Sequence, residues 1–309
     1  MVDFKSLKNR SKDSLSRLTN EVEKMKAPAS QKAEDDRFWQ PTVDQAGNGS
    51  ATIRFLPEPA IDGDDALPWV RLFTHGFQGP SGSWYIENSL TTIGKNDPCS
   101  EYNTKLWNSG IESDKNIARD QKRRVSYISN ILVLEDPGNP ENEGKTFLYR
   151  YGVKIFDKLN EAMHPEFEDE QAFNPFNPWE GADFKLRIRK VAKYRNYDKS
   201  TFSTPKAMGM KDEEIEKVWN GLYSLKEFTD EKNFKPYTEL LTRLNSVVGF
   251  DTQSGTAAAP QPKVQEKVKG PVAESSEDDD EPPFDPDPKA EDDEDDDTLE
   301  YFQKLANAD

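Results

Sequence analysis

Cysteine and histidine are nearly absent from this chain. Cys99 is the single cysteine, and His75 and His164 are the only histidines. An intramolecular disulfide framework is therefore excluded, and a zinc centre or a His-based catalytic site has almost no material to draw on. No apolar run approaches the ~20 residues that a membrane-spanning helix requires. The N-terminal segment is charged throughout and has no signal-peptide pattern, so the expected location is the cytoplasm. Phosphate-cradling motifs are missing too: there is no P-loop, no Gly-x-Gly-x-x-Gly opening a helix and no Gly-x-Ser-x-Gly elbow. Carboxylates are plentiful, but most sit where nothing would fix their geometry, so no catalytic residue is assigned and the chain is not expected to be an enzyme. Hydrophobic residues make up only 34% of the 309 and charged residues 32%, which predicts that part of the chain does not build a core.

The charge is unevenly placed. The formal net charge is −17, from 58 acidic and 41 basic residues. Residues 274–309 alone hold 17 of the acids against Lys289 and Lys304, which leaves 41 acids and 39 bases in the rest. A nearly neutral body can carry a local positive face while the acidic block forms a separate tail.

Three regions follow. Residues 1–30 read as a basic N-terminal arm, in which Phe4, Leu7, Leu15, Leu18, Val22 and Met25 recur at roughly helical spacing among Lys5, Lys8, Arg10, Lys12 and Arg17. Residues 31–250 read as a compact core. Residues 251–309 change abruptly to Ala, Gln, Pro, Lys, Glu and Asp and read as a disordered linker with an acidic tail. Within that tail Leu299, Phe302 and Leu305 keep a helical spacing, as a docking peptide would.

The core alternates short strands with Gly/Pro turns, which predicts a mainly β fold of barrel or sandwich type with flanking helices. Strands are predicted over 51–56, 69–77, 83–87, 125–134, 145–151 and from 184, and helices over 153–163, 212–228 and 234–248, the last with Leu240, Leu241, Leu244 and Val247 as its buried stripe. Residues 111–124 read as a short helix or loop, and 90–110 have little periodicity.

Two stretches combine cations with rings. Lys122, Arg123 and Arg124 lead into a strand carrying Tyr127, and after a Pro/Gly/Asn-rich reversal the return strand carries Phe147, Tyr149, Arg150 and Tyr151. In the second stretch Phe184, Leu186 and Ile188 alternate with Lys185, Arg187 and Arg189, so one face is apolar and the other is three cations. Lys193, Tyr194, Arg195 and Tyr197 extend it. Single-stranded nucleic acid asks for this pairing: cations for phosphates, and flat rings on which exposed bases stack for about 1–3 kcal/mol each. Two alternatives stay open on the residues alone. In one, the rings fill a barrel that the cations merely solubilise, leaving an interaction scaffold whose function lies in the acidic tail; in the other, core carboxylates hold a divalent metal for nuclease chemistry. Asp97 and Glu101 beside Cys99 offer too few nitrogen and sulfur donors for a closed zinc site.

Many short blocks in register carry a resemblance: Asn48-Gly49-x-Ala51, Ile53-Arg54-Phe55-Leu56-Pro57, His75-Gly76-Phe77, Trp84-Tyr85-Ile86-Glu87, Lys122-Arg123-Arg124, Asn130-Ile131-Leu132-Val133, Pro140 through Lys145, Tyr149-Arg150 and Pro178 through Ala182. Across about residues 39–250 the chain resembles the single-stranded-DNA-binding (helix-destabilising) proteins of T-even-type bacteriophages. The resemblance implies an OB-type antiparallel β-barrel that holds single-stranded DNA without sequence preference in viral replication, recombination and repair. It also implies a basic arm for head-to-tail cooperative binding and an acidic tail that recruits replication and recombination proteins, in the cytoplasm of the infected host. Carried over by position, it suggests Lys122, Arg123, Arg124, Tyr127, Tyr149, Arg150, Tyr194 and Tyr197 as DNA contacts, with Trp84 nearby, and Lys8, Arg10, Ser11 and Lys12 as the self-association motif. Ile128 stands where the family often has Trp, and Tyr194 where a Phe is usual. Members with zinc use one His and three Cys. Here His75 and Cys99 match while Ser89 and Tyr102 stand at the other positions, so no zinc is expected, and Trp84, Ile93 and Trp107 are expected to pack the loop in its place.

Overall fold

A computed structural model describes residues 35–167, 169–191 and 194–250. The arm motif Lys8, Arg10, Ser11 and Lys12, Lys193, and the linker and acidic tail lie outside the described residues. In chain order the elements are β1 (Gly49–Phe55), β2 (Val70–Gln78), β3 (Trp84–Asn88), α1 (Pro98–Trp107), α2 (Glu112–Asp120), β4 (Arg124–Glu135), β5 (Thr146–Tyr151), α3 (Val153–Met163), β6 (Phe184–Val191), β7 (Tyr194–Asn196), β8 (Thr201–Phe202), α4 (Asp212–Asn220) and α5 (Tyr237–Val248). The fold is thus mainly antiparallel β with flanking helices. Two compact units share the described residues: 35–69 with 128–224, and 70–127 with 225–250.

In the first unit β1 pairs antiparallel with both β4 and β6, β5 pairs β4, and β7 and β8 pair β6. Ala51, Ile53 and Phe55 turn inward by the period of two. The Phe55 ring meets Tyr151, Phe176 and Phe184 edge-on at 5.6, 5.7 and 5.7 Å. Such contacts add about 0.5–1.5 kcal/mol per pair to the area buried. On the opposite face of β1 sits Arg54, fully buried, whose guanidinium donates to Asp183 Oδ1 and to the carbonyls of Asn177, Pro178 and Lys206. Gly181 closes this pocket, since a Cβ there would lie 2.5 Å from the Asn177 carbonyl oxygen and 3.0 Å from Arg54 Nη2. No other residue fits without moving the backbone.

β4 shows why its alternation is blurred in the sequence: Ser126 to Val133 are buried without a break. Both of its faces are covered, so either face can be apolar. β5 is likewise covered, because Phe38 bridges Leu148 and the Trp39 N–H donates to the Leu148 carbonyl.

The second unit joins the β2–β3 hairpin to three helices. Gly79 in its turn lies against α5, where a Cβ would collide with the Val247 carbonyl. Phe77, Tyr85, Cys99, Leu244 and Val247 form one buried cluster, and Leu90, Phe234 and Leu240 another.

Three element expectations are corrected. The helix expected over 212–228 ends at Asn220, because the chain turns at Gly221 to bury Leu222 against Leu56 and Leu132. The helix expected from 234 begins at Tyr237, after Pro236, which has no N–H to donate and restricts the residue before it. Its stripe is Leu240, Leu244 and Val247; Leu241 is 37% exposed, since it lies about 100° round the helix from Leu240.

Candidate nucleic-acid interface

β6 displays the cleanest segregation in the molecule. Phe184, Leu186 and Ile188 are buried, and Lys185, Arg187 and Arg189 are exposed. The neighbours across the ladder are small: Lys185 pairs with Thr52 and Thr201, Arg187 with Ser50, and Arg189 with Asn196. Short polar neighbours leave the three cations standing above the sheet. Lys190, exposed at the end of the strand, pairs with Arg195 of β7. Carboxylates adjoin the cationic face at two of these neighbours: Glu135 Oε2 accepts from Thr52 Oγ1 at 3.1 Å, and Asp198 Oδ2 accepts from Asn196 Nδ2 at 2.8 Å. Tyr194 is half-buried and Tyr197 buried.

Also in the first unit, Arg150 lies over the Phe38 ring at 5.5 Å. Tyr149 is only 2% exposed, edge-on to Trp39 at 5.2 Å and tilted against Tyr151 at 5.5 Å. In the second unit Lys122 is exposed, Arg123 and Arg124 are half-buried, and Tyr127 is 7% exposed. Trp84 is half-buried opposite Gln78 at the end of the hairpin. Ile128 is fully buried, so the residue standing where the family often has Trp is a core residue of this chain. The accessible members of the candidate set are thus its cations, with Tyr194 and Trp84 as the more open rings.

Sequence reasoning missed the surroundings of Arg123. Its guanidinium lies 4.0 Å from the centroid of Phe73 and donates to Thr91 Oγ1 at 2.8 Å. Arg71 approaches the same ring at 4.8 Å. The signal was present in β2, where Arg71 and Phe73 flank the buried Leu72.

The family's zinc position holds different chemistry. His75, 1% exposed, places Nε2 3.2 Å from Asp97 Oδ1 and 3.4 Å from Ser100 Oγ, while Nδ1 is 3.4 Å from the Gln121 carbonyl. Asp97 also caps α1 through the Ser100 N–H and accepts from the Leu90 N–H. Burial works to raise the Asp97 carboxyl, yet the hydrogen bond and charge of His75 and the two backbone N–H groups hold it down at about 2. Burial pushes the Cys99 thiol well up, with the Asp97 charge adding to the effect. Ser89 Oγ engages Thr91, Tyr102 packs edge-on against Phe250, and Glu101 accepts from the Tyr237 hydroxyl at 2.8 Å. Among the described residues no three His, Cys, Asp or Glu side chains gather as a metal site. One thiol and one imidazole already engaged with a carboxylate do not fit a closed tetrahedral zinc. Of the three residues expected to pack this loop, Ile93 packs against the Leu90–Phe234–Leu240 cluster. Trp107 lies beneath Lys115 and Arg119 of α2, and Asp97 fastens the loop through the Leu90 and Ser100 N–H groups.

The family described as gp32 DNA binding protein like matches residues 47–248. Among curated proteins, the single-stranded DNA-binding protein of Enterobacteria phage T2 is 39% identical over 229 residues, 73% of this chain and 74% of that protein. The protein of the same name from Enterobacteria phage T4 is 37% identical over 248 residues, 79% of this chain and 81% of that one. A third, from Enterobacteria phage RB70, is 39% identical over 95 residues, 31% of this chain and 78% of its own length.

Proposed function

The chain belongs to the family of gp32-like DNA-binding proteins, a non-enzymatic family, and from that premise we propose that it binds single-stranded DNA without sequence preference. The observation that carries this proposal is the β6 face, three exposed cations on a strand whose other face is core, inside the segment that matches the family. Lys185, Arg187 and Arg189, with Lys122, Arg123, Arg124 and Arg150, neutralise phosphates, and the more open rings Tyr194 and Trp84 stack on bases. Tyr127, Tyr149 and Tyr197, which are buried, then act from beneath the surface. The antiparallel sheet of the first unit, with β1 and β5 both paired to β4, supports an OB-type barrel as the scaffold.

The wider role proposed is to coat and protect single strands in viral replication, recombination and repair, in the cytoplasm of the infected cell. Cooperativity comes from the arm around Lys8, Arg10, Ser11 and Lys12, and recruitment of replication and recombination proteins from the acidic tail. No zinc takes part.

Titration of the full chain with oligo-dT, followed by tryptophan fluorescence at two salt concentrations, tests the proposal. Quenching at low salt that weakens steeply at high salt is expected; no quenching at low salt would sink it.

A further inference from the structure

We propose that Arg71, Phe73 and Arg123 form a second phosphate-binding station, a pair of guanidinium groups held on one ring that grips the backbone of a single strand. The proposal rests on the single-stranded-DNA reading above and adds residues to it. Arg71 and Phe73 are two apart on β2 and share a face of the strand. Arg123 arrives from the segment between α2 and β4. With the guanidinium carbons 4.8 and 4.0 Å from one centroid, the two cations are no more than about 9 Å apart. That is within reach of a phosphodiester backbone. Two guanidinium groups on one ring make a local concentration of positive charge, and backbone phosphates accepting from them gain charge-assisted hydrogen bonds.

The station is built from beneath. The Phe73 N–H donates to Thr92 Oγ1 at 2.9 Å, and the Phe73 carbonyl accepts from the Ser89 N–H at 2.9 Å. The same turn presents Thr91 Oγ1 to Arg123, and the Asp97 carboxylate fastens the turn through the Leu90 N–H. Arg123 is therefore oriented by a ring and a hydroxyl, and Thr91 is its positioning residue. Arg71, by contrast, is exposed, and among the described residues its one contact of this kind is the Phe73 ring. Among the described residues no ion pair joins it to a carboxylate.

The test is the salt dependence of oligo-dT binding by the full chain carrying Arg71→Gln, Thr91→Val or Thr91→Ser, with Lys158→Gln on α3 as a control for loss of a charge outside the station. One lost phosphate contact lowers the slope of log K against log salt by about 0.7. Arg71→Gln should therefore show that change, about a fivefold loss of its relative affinity between 1 M and 0.1 M salt. Thr91→Val should move in the same direction, while Thr91→Ser and Lys158→Gln keep the parent slope. Parent binding with an unchanged Arg71→Gln slope overturns the station and leaves the functional reading intact, as does an equal loss in Lys158→Gln. Failure of the parent chain itself to bind overturns the functional reading and the station with it.

Discussion

Replacing Asp97 by Asn should unfold the second unit more easily, and by an amount that depends on pH. The carboxylate is 1% exposed and serves His75, the Ser100 N–H and the Leu90 N–H together. An amide of the same shape can accept from only one side and turns an NH2 toward some of these donors. Each buried donor left without its acceptor costs about 1–3 kcal/mol, and in a unit of this size each kcal/mol lowers Tm by about 4–8 °C. A loss of 10 °C or more is thus expected at pH 7 on the order of these values. The sign of the pH effect follows from titration. Asp97 ionises at about 2 in the folded chain and near ~3.9 when unfolded. Its ionisation therefore contributes about 2–3 kcal/mol, fully present above about pH 5 and mostly lost as pH falls to 2. Asn does not titrate, so the stability gap between parent and variant should narrow by most of that amount between about pH 5 and pH 2. Urea melts at a series of pH values, read by tryptophan fluorescence, measure the gap. A gap that is absent at pH 7, or that keeps its size down to pH 2, would refute the argument that an ionised Asp97 holds the loop.

Three other outcomes are expected. Arg54→Lys should cost about 3–5 kcal/mol in a denaturant melt, because an ammonium cannot present the planar fork that reaches Asp183 and three carbonyls. Metal analysis of protein purified without chelator should find no zinc; one zinc per chain would contradict the donor set around His75. Deleting residues 274–309, whose acids imitate a run of phosphates, should strengthen single-strand binding most at low salt, and unchanged affinity at every salt would count against competition by the tail.

What the sequence disclosed depended on how many sides of an element meet solvent. The start and the two faces of β6 were legible because one face is wet and carries Lys185, Arg187 and Arg189, whereas its end at Val191 was not marked. The hairpin of β2 and β3 and the helix α3 were legible for similar reasons of turn chemistry and spacing. β4 was found as a strand but its faces were not, because both are buried. α1 was missed since its buried residues are Pro98, Cys99 and Asn103, which make no apolar stripe. Asp97 was considered only as a metal corner. Its partners come from β2 and the turn at Leu90, and no local pattern announces a contact across 22 residues of chain to His75. Arg71 and Phe73 were passed over because their significance comes from Arg123, half a unit away in sequence. The rings of Tyr127 and Tyr149, read as base-facing, lie almost wholly beneath the surface, which shifts the weight of the proposed interface toward cations.

The central claim is that the cationic face of β6 meets the phosphates, and the most direct measurement of it is the salt slope of oligo-dT binding for the triple variant Lys185→Gln, Arg187→Gln, Arg189→Gln. Three lost phosphate contacts should lower that slope by about 2 relative to the parent chain, with the melting temperature unchanged because all three side chains are exposed. A triple variant that binds with the parent slope would place the nucleic acid elsewhere and contradict the account.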